Sequence, residues 1–498
     1  MRLARLAMIT VVVLALVGLV AAWTGRSEPQ AAEVPRSPVP AVRAEADFGV
    51  TWYCAAGTAA VPTAQHLFVS NPTDSPVSVR LTGYTAAGAT QPKDVEVPAG
   101  GPLIVDVAAT LGDAAASVLV ESPSAELSVD HQLAAEGYGD RAACIGSTSD
   151  TWSFPTLTTT RDAGARLTLF NPFPGDAGVD IEIGLDTGTR VPTTLTGVIV
   201  AAGTARVIDL GEAVQRREQF TAVVRSRSGR VVAEVAQTFD GELGPKGLQL
   251  SPGVPSPQRD WAFAGGFTGT GVAERLVVQN PGEERADVLV QVTPYGGAAD
   301  PPEPIEVTVE PLRYVVVDLS AESRVPGVGY HAIAVESDRP VVVARSTVLS
   351  AAPDPPPDPA VAARPDLSRG VALSTGTPVA AAEWVVPAID AGQPPGPVVL
   401  IHNPGDGIAT VTLSAVAAGT ASELPEATGL EVAPGDSVAV SLPVAGAAPE
   451  VTIAVRSTEP IVVERITVFG PEPELAFDLA VPVHRPGRPL VALGDRAS

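Results

Sequence analysis

The chain has 498 residues, 45% of them apolar but only 4% aromatic, so it can fill several cores and must fill them mostly with Ala and Val. Its 56 acidic against 32 basic side chains give a net charge of −24, a field that repels phosphate backbones and argues against nucleic acid as a partner. Two Cys and five scattered His argue against a metalloenzyme and imply no cofactor, while 47 Gly and 49 Pro mark a turn-rich chain short of a disordered composition.

In chain order, Arg2 and Arg5 precede an uncharged, largely apolar run over residues 6–25. A helix of that length at ~1.5 Å per residue matches a ~30 Å hydrocarbon core. The basic start, apolar centre and small residues Val20, Ala21 and Ala22 equally fit a secretory signal. Residues 1–25 are therefore read as a transmembrane anchor or a signal peptide. Either reading exports everything after Arg26, and the anchor leaves the N-terminus in the cytoplasm. Residues 26–47, rich in Ala, Pro, Glu and Arg without periodicity, read as a linker. Outside the cytoplasm, Cys54 and Cys144 are expected to form a disulfide, whose long loop would contribute about 4–5 kcal/mol in the chain-entropy model.

Beyond the linker the chain repeats itself. Trp52, Trp152, Trp261 and Trp384 are each followed, nineteen residues later, by an Asn-Pro pair at Asn71, Asn171, Asn280 and Asn403. Apolar residues fall eight and ten positions after each Asn, as in Val179-Asp-Ile181, the period of two of a half-buried strand. A later strand runs through Asp106, Asp209, Asp318 and Ser441, and another follows a Ser turn at Ser122, Ser226, Ser337 and Ser457. The spacing predicts four units of 48–150, 151–260, 261–383 and 384–485, with a Pro-rich insertion at 351–366 and a tail at 486–498. Short strands between Gly, Pro and Ser turns, at about 100 residues per unit, predict an all-β chain of four tandem immunoglobulin-like β-sandwiches after the N-terminal helix. Relative to its Trp, Cys54 occupies the position of Phe154 and Phe263, and Cys144 that of Gly253 and Gly376. First and last strands are expected to meet at these pairs, with Val386 and Ala480 as the fourth.

The phrase Trp261-Ala-Phe-Ala-Gly-Gly, followed by Leu276-Val-Val-Gln-Asn-Pro281, resembles the recurrent unit of an exported actinobacterial family of unknown function, and Trp52-Tyr-Cys54 is similar to that family's opening. The resemblance covers residues 48 to 485. It implies a membrane-attached envelope protein and brings no activity or site residues.

The motifs carry little chemistry. Asn-Pro is a turn signal, since Asn caps its own backbone and Pro fixes φ, so ligand contact is the lesser reading of the four Asn. The four Trp either fill cores or offer sugar-stacking faces, and one Trp at the same place in each unit favours the core. Asp130-His131 reads as a surface pair. No nucleophile, metal or phosphate motif is present, so an enzyme is not expected. The expectation is a non-catalytic, membrane-anchored extracytoplasmic structural or scaffolding protein of the cell envelope, a rod of four sandwiches whose partner is another envelope protein. The alternative is a binder of cell-wall or surface glycan, and an unrecognised envelope enzyme comes last.

Overall fold

Each Asn-Pro pair ends one strand, and the same hydrogen bonds hold it in all four stretches of the chain. In this computed structural model, Nδ2 of Asn71, Asn171, Asn280 and Asn403 donates to the carbonyl four residues on at 2.7–2.9 Å. It also donates across the turn to Pro98, Val200, Val309 and Val432 at 2.9–3.1 Å. Oδ1 accepts from the N–H two residues on at 3.0–3.1 Å. All four Asn are buried. One amide thus satisfies backbone groups that the turn would otherwise leave bare, each costing about 1–3 kcal/mol.

The structure describes residues 42–43, 49–55, 64–123, 126–135, 138–242, 244–296, 302–354, 370–390, 397–417, 420–442, 450–469, 474–484 and 490–496. They are nearly all strand. The expected helix at 1–25 lies outside them, and among the described residues no helix is long and apolar enough to cross a membrane. Of the expected linker, Val42–Arg43 pairs in parallel with Val483–His484 as a strand. Of the expected tail, Val491–Ala492 pairs with Val379–Ala380. Within 351–366, Ala351 to Asp354 complete the strand Gly329–Asp354, and the rest of the insertion lies outside the described residues.

The first stretch builds a five-stranded sheet around Val77–Thr85 and Ser117–Ser122, and a four-stranded sheet around Ala64–Asn71 and Ser128–Ala135. The second does the same with Ala177–Leu185 and Phe220–Ser228 in one sheet, and Ala163–Asn171 and Val232–Asp240 in the other. In the third and fourth the Ser turn does not break the strand. Gly329–Asp354 and Glu450–Phe469 run from one sheet into the other, pairing with different partners along each half. The alternating positions point inward as expected: Val79, Leu81, Val179, Ile181, Val288, Val290, Val411 and Leu413 are all at most 2% exposed. Asp106 and Asp209 end their strands by capping a short helical turn, a role their type favours and their spacing alone does not reveal.

Trp52, Trp152, Trp261 and Trp384 sit in four separate cores, each at most 2% exposed. The indole N–H of the last three reaches the carbonyl that opens the later strand: Val231 at 2.8 Å, Val341 at 3.1 Å and Ile461 at 3.0 Å. Beside each Trp the first and last strands meet. Tyr53–Ile145, Ser153–Val254 and Ala262–Thr377 are antiparallel bridges, and Val385 pairs with Val481. One residue further in, Cys54 and Cys144 are bonded with Cα atoms 4.6 Å apart. At the same place a Cβ on Gly253 would lie 2.9 Å from the Phe154 ring, and one on Gly376 2.9 Å from Phe263. Val386 and Ala480 are both buried. A large residue over a small one does elsewhere what the disulfide does in the first stretch.

The stretches do not string out as a rod. Tyr84 packs on Phe170 with ring centroids 5.1 Å apart, Thr221 receives the Gln279 amide at 3.1 Å, and Thr452 bonds Ser70 at 3.0 Å. Tyr84 and the strand partners of Thr221 and Thr452, which are Gly184 and Val416, each lie thirteen residues after an Asn. Their contacts are each the residue just before the next Asn-Pro. Between the third and fourth stretches Gly265 N–H donates to Glu464 at 2.9 Å. One head-to-tail mode of contact therefore leads from first to second, second to third and fourth back to first. A heterologous contact repeated with a rotation that closes gives a ring of contacts and not an open chain. Val385, Val481 and Val483 of the fourth stretch complete the core of the first. Residues 38–498 accordingly form one compact unit.

The matched positions make a direct prediction. Cys54→Phe with Cys144→Gly should fold and resist reductant, whereas Cys54→Ser with Cys144→Ser should lose about 2–5 kcal/mol. Denaturant titration with and without dithiothreitol measures both. A Phe/Gly variant no more stable than the Ser/Ser one would show that the positions are not interchangeable.

Candidate functional site where the four stretches meet

The later strand of each stretch opens with apolar residues and then, in three of four cases, turns acidic. Asp130, Glu234, Ala344 and Glu464 hold one position, opposite Phe68, Thr168, Val277 and Leu400, each three residues before its Asn. The next residues are His131, Val235, Arg345 and Arg465. All eight are at most 3% exposed. Successive side chains point to opposite faces of a strand, and here one face meets the preceding stretch and the other the following one, so neither is left for water. Asp130-His131 is therefore not the expected surface pair: it is buried between stretches.

The buried acidic and basic side chains pair around the ring of contacts. His131 Nε2 lies 2.8 Å from Glu234, Arg345 lies 3.3 Å from Glu464, and Arg465 lies 3.5 Å from Asp130. In each case the basic side chain meets the acid at the equivalent position of the next stretch. The remaining junction, second to third, would join Val235 to Ala344, and there both charges are absent together. A buried ion without its partner is strongly destabilising, whereas an apolar pair is not, so the two positions change as one.

Further groups support these pairs. Arg465 also holds Asp478 at 2.9 Å and the Pro387 carbonyl at 3.1 Å, and Arg141 reaches Asp130 at 3.3 Å from above the Phe68 ring. His331 and Arg345 both approach Glu274. Burial pushes the Glu464 carboxyl up, and Arg345 opposes the rise. Burial likewise raises Asp478, against the pull of Arg465. The last strands add links to backbone N–H groups: Asp140 accepts from Leu250 N–H at 2.6 Å, and Gln249, at the equivalent place, accepts from Leu373 N–H at 2.8 Å.

These last strands, Tyr138–Ala143, Lys246–Pro252, Val371–Thr375 and Glu474–Leu479, come together around a cavity of about 110 Å³. Its wall includes residues of all four stretches, among them Ala142, Ser251, Ser374, Phe477 and Asp478, with Trp261. The sequence markers are not gathered here. The Trp lie in four cores, the Asn pin four turns, and only Cys54 and Cys144 are joined. What the reading from sequence missed is the acidic residue that closes an otherwise apolar strand, visible in Ile461-Val-Val-Glu464 but hidden elsewhere by turns of unequal length. Among the described residues no group of three His, Cys, Asp or Glu is placed to hold a metal ion.

Residues 140–369 match the model of a family of unknown function, DUF5719. No curated protein matches the chain. Among solved structures, the Thermotoga maritima protein 1070 is 20% identical over 24% of this chain and 93% of its own, with a TM-score of 0.20. The Anabaena sensory rhodopsin transducer is 26% identical over 18% of this chain and 79% of its own, with a TM-score of 0.16.

The paired absence at the second junction is testable. Val235→Arg alone and Ala344→Glu alone should each destabilise the chain by about 3–5 kcal/mol, as uncompensated buried charges do. The double variant should recover a large part of that loss. A denaturant-based double-mutant cycle with no coupling between the two sites would sink the equivalence of the four junctions.

Proposed function

We propose that the chain is a non-catalytic structural protein of the cell envelope, in which four immunoglobulin-like sandwiches close head to tail into one ring, held at the membrane by the N-terminal span. The observation that carries this reading is the use of the interior. Buried ionisable side chains join one stretch to the next at three junctions, His131 to Glu234, Arg345 to Glu464 and Arg465 to Asp130, each pair matched by position. The Cys54–Cys144 bond supports an exported location, because disulfides persist in oxidising compartments. Glycan binding through the four Trp is the weaker reading, since a stacking platform needs an open aromatic face and these rings are at most 2% exposed.

The full-length chain provides the test. A periplasm-dependent reporter inserted after residue 47 should be active, and a reporter active only in the cytoplasm would contradict export. Purified chain added to envelope extract should recover protein partners that soluble wall glycan does not displace. Retention on purified wall glycan, lost on adding soluble glycan, would replace the scaffold reading with the binding one. Co-expressed halves ending at Ser256 and starting at Pro257 should co-purify, because two junctions, second to third and fourth to first, rejoin them.

A further inference from the structure

We propose that the cavity between the four last strands binds a small uncharged diol, its carbon chain against Leu250, Leu373 and Phe477 and its hydroxyls among Ser251, Ser374, Thr375 and Asp478. The site goes beyond the scaffold reading and does not depend on it. Three observations carry the assignment.

The first is place and size. Ala142, Ser251, Ser374 and Asp478 hold one position in the four last strands, opposite His131, Val235, Arg345 and Arg465, and all four line the cavity. Three of these four equivalent positions are polar, in a wall that Leu250, Leu373, Phe477 and Trp261 make apolar elsewhere. An apolar wall with a few convergent polar groups is the usual make-up of a small-molecule site. The cavity measures about 110 Å³. An engineered cavity of ~150 Å³ takes benzene, so this one holds about four or five heavy atoms.

The second is a set of unused polar atoms. The hydroxyls of Ser251, Ser374 and Thr375 belong to half-buried residues and have no hydrogen bond to any described residue. Oδ2 of Asp478 receives both bonds from Arg465, at 3.2 and 2.9 Å, and no described residue bonds Oδ1. An ammonium group only donates and a carboxylate only accepts. An alcohol O–H does both, so it can exchange hydrogen bonds with the Ser and Thr hydroxyls in either direction and donate to Oδ1. These groups stand on three different strands, so two hydroxyls on adjacent carbons meet them better than one does.

The third is charge. The ions that act on Asp478 are Arg465, Asp130 and Arg141. Arg465 joins Asp478 and Asp130, and Arg141 joins Asp130. Two carboxylates therefore stand against two guanidiniums, and no charge of either sign is left for an occupant to balance. A charged occupant would bring an uncompensated ion into a region sheltered from water, which a neutral one does not.

The experiment is a calorimetric titration of the full-length chain with propane-1,2-diol. Beside it are run 1-propanol, which lacks one hydroxyl, and 1-amino-2-propanol hydrochloride, in which an ammonium replaces one. The expected result is saturable heat from the diol, with dissociation constants at least about tenfold higher for the other two. Ser251→Leu, on the strand opposite Val235 at the junction without charges, fills the cavity and should abolish binding. Ser251→Ala with Ser374→Ala keeps the space and removes two hydroxyls. It should bring the diol down to the level of 1-propanol, and it decides the matter if Ser251→Leu fails to fold. No saturable heat from the diol, equal binding of the three compounds, or diol binding unchanged in either variant would overturn the assignment and leave the cavity to water.

Discussion

A charged side chain buried between two stretches must find its opposite there, and the rest of the structure follows from that requirement. His131, Arg345 and Arg465 each leave their own strand to meet Glu234, Glu464 and Asp130 of the next stretch. In a medium of low dielectric such a pair gains little over an apolar pair of the same volume, because desolvation of both ions offsets their attraction. Its asymmetry is what matters. A correct neighbour is nearly neutral in energy, and a wrong neighbour leaves a bare ion. Buried pairs of this kind discriminate between arrangements more than they stabilise any one of them. In a chain whose four stretches share one framework, many wrong neighbours are on offer, and three of the four junctions carry this penalty against them. The apolar junction, Val235 beside Ala344, joins stretches that are already consecutive in the chain and need the least instruction.

What can be read from the sequence is what each stretch needs for itself. The Trp, the Asn-Pro turn and the alternating strand after it recur at fixed spacing because each works within one framework, across a few residues of local geometry. The large-over-small pair at the strand ends is legible for the same reason, once Cys54 and Cys144 are aligned with Phe154 and Gly253. The contacts between stretches are harder to see. Their acids stand 59 to 63 residues after the Asn, a distance that changes with every turn in between, so no fixed spacing marks them. The charges also mislead. Asp130-His131 on a strand reads as a solvated pair, because burial on both faces of a strand becomes evident only when a second stretch is laid against it. The Ser turn misled in the other direction. It breaks the strand in the first two stretches, yet Gly329–Asp354 and Glu450–Phe469 pass through it intact.

The placement of the one disulfide then acquires a reason. The first stretch leaves synthesis first, but its core is closed in part by Val385, Val481 and Val483, more than 230 residues away at the nearest. Until the fourth stretch is made, those apolar contacts do not exist, and domains that emerge early must hold themselves together or stay exposed. The second, third and fourth stretches arrive with a neighbour already in place and join their end strands by packing alone: Phe154 on Gly253, Phe263 on Gly376, Val386 beside Ala480. The first has no neighbour to lean on. A covalent bond between Cys54 and Cys144 restricts its unfolded chain and holds its first and last strands together at the position where packing serves the others. The cross-link stands in the stretch that waits longest for its core to be completed, and the order of synthesis, together with the closure of the ring, places it there.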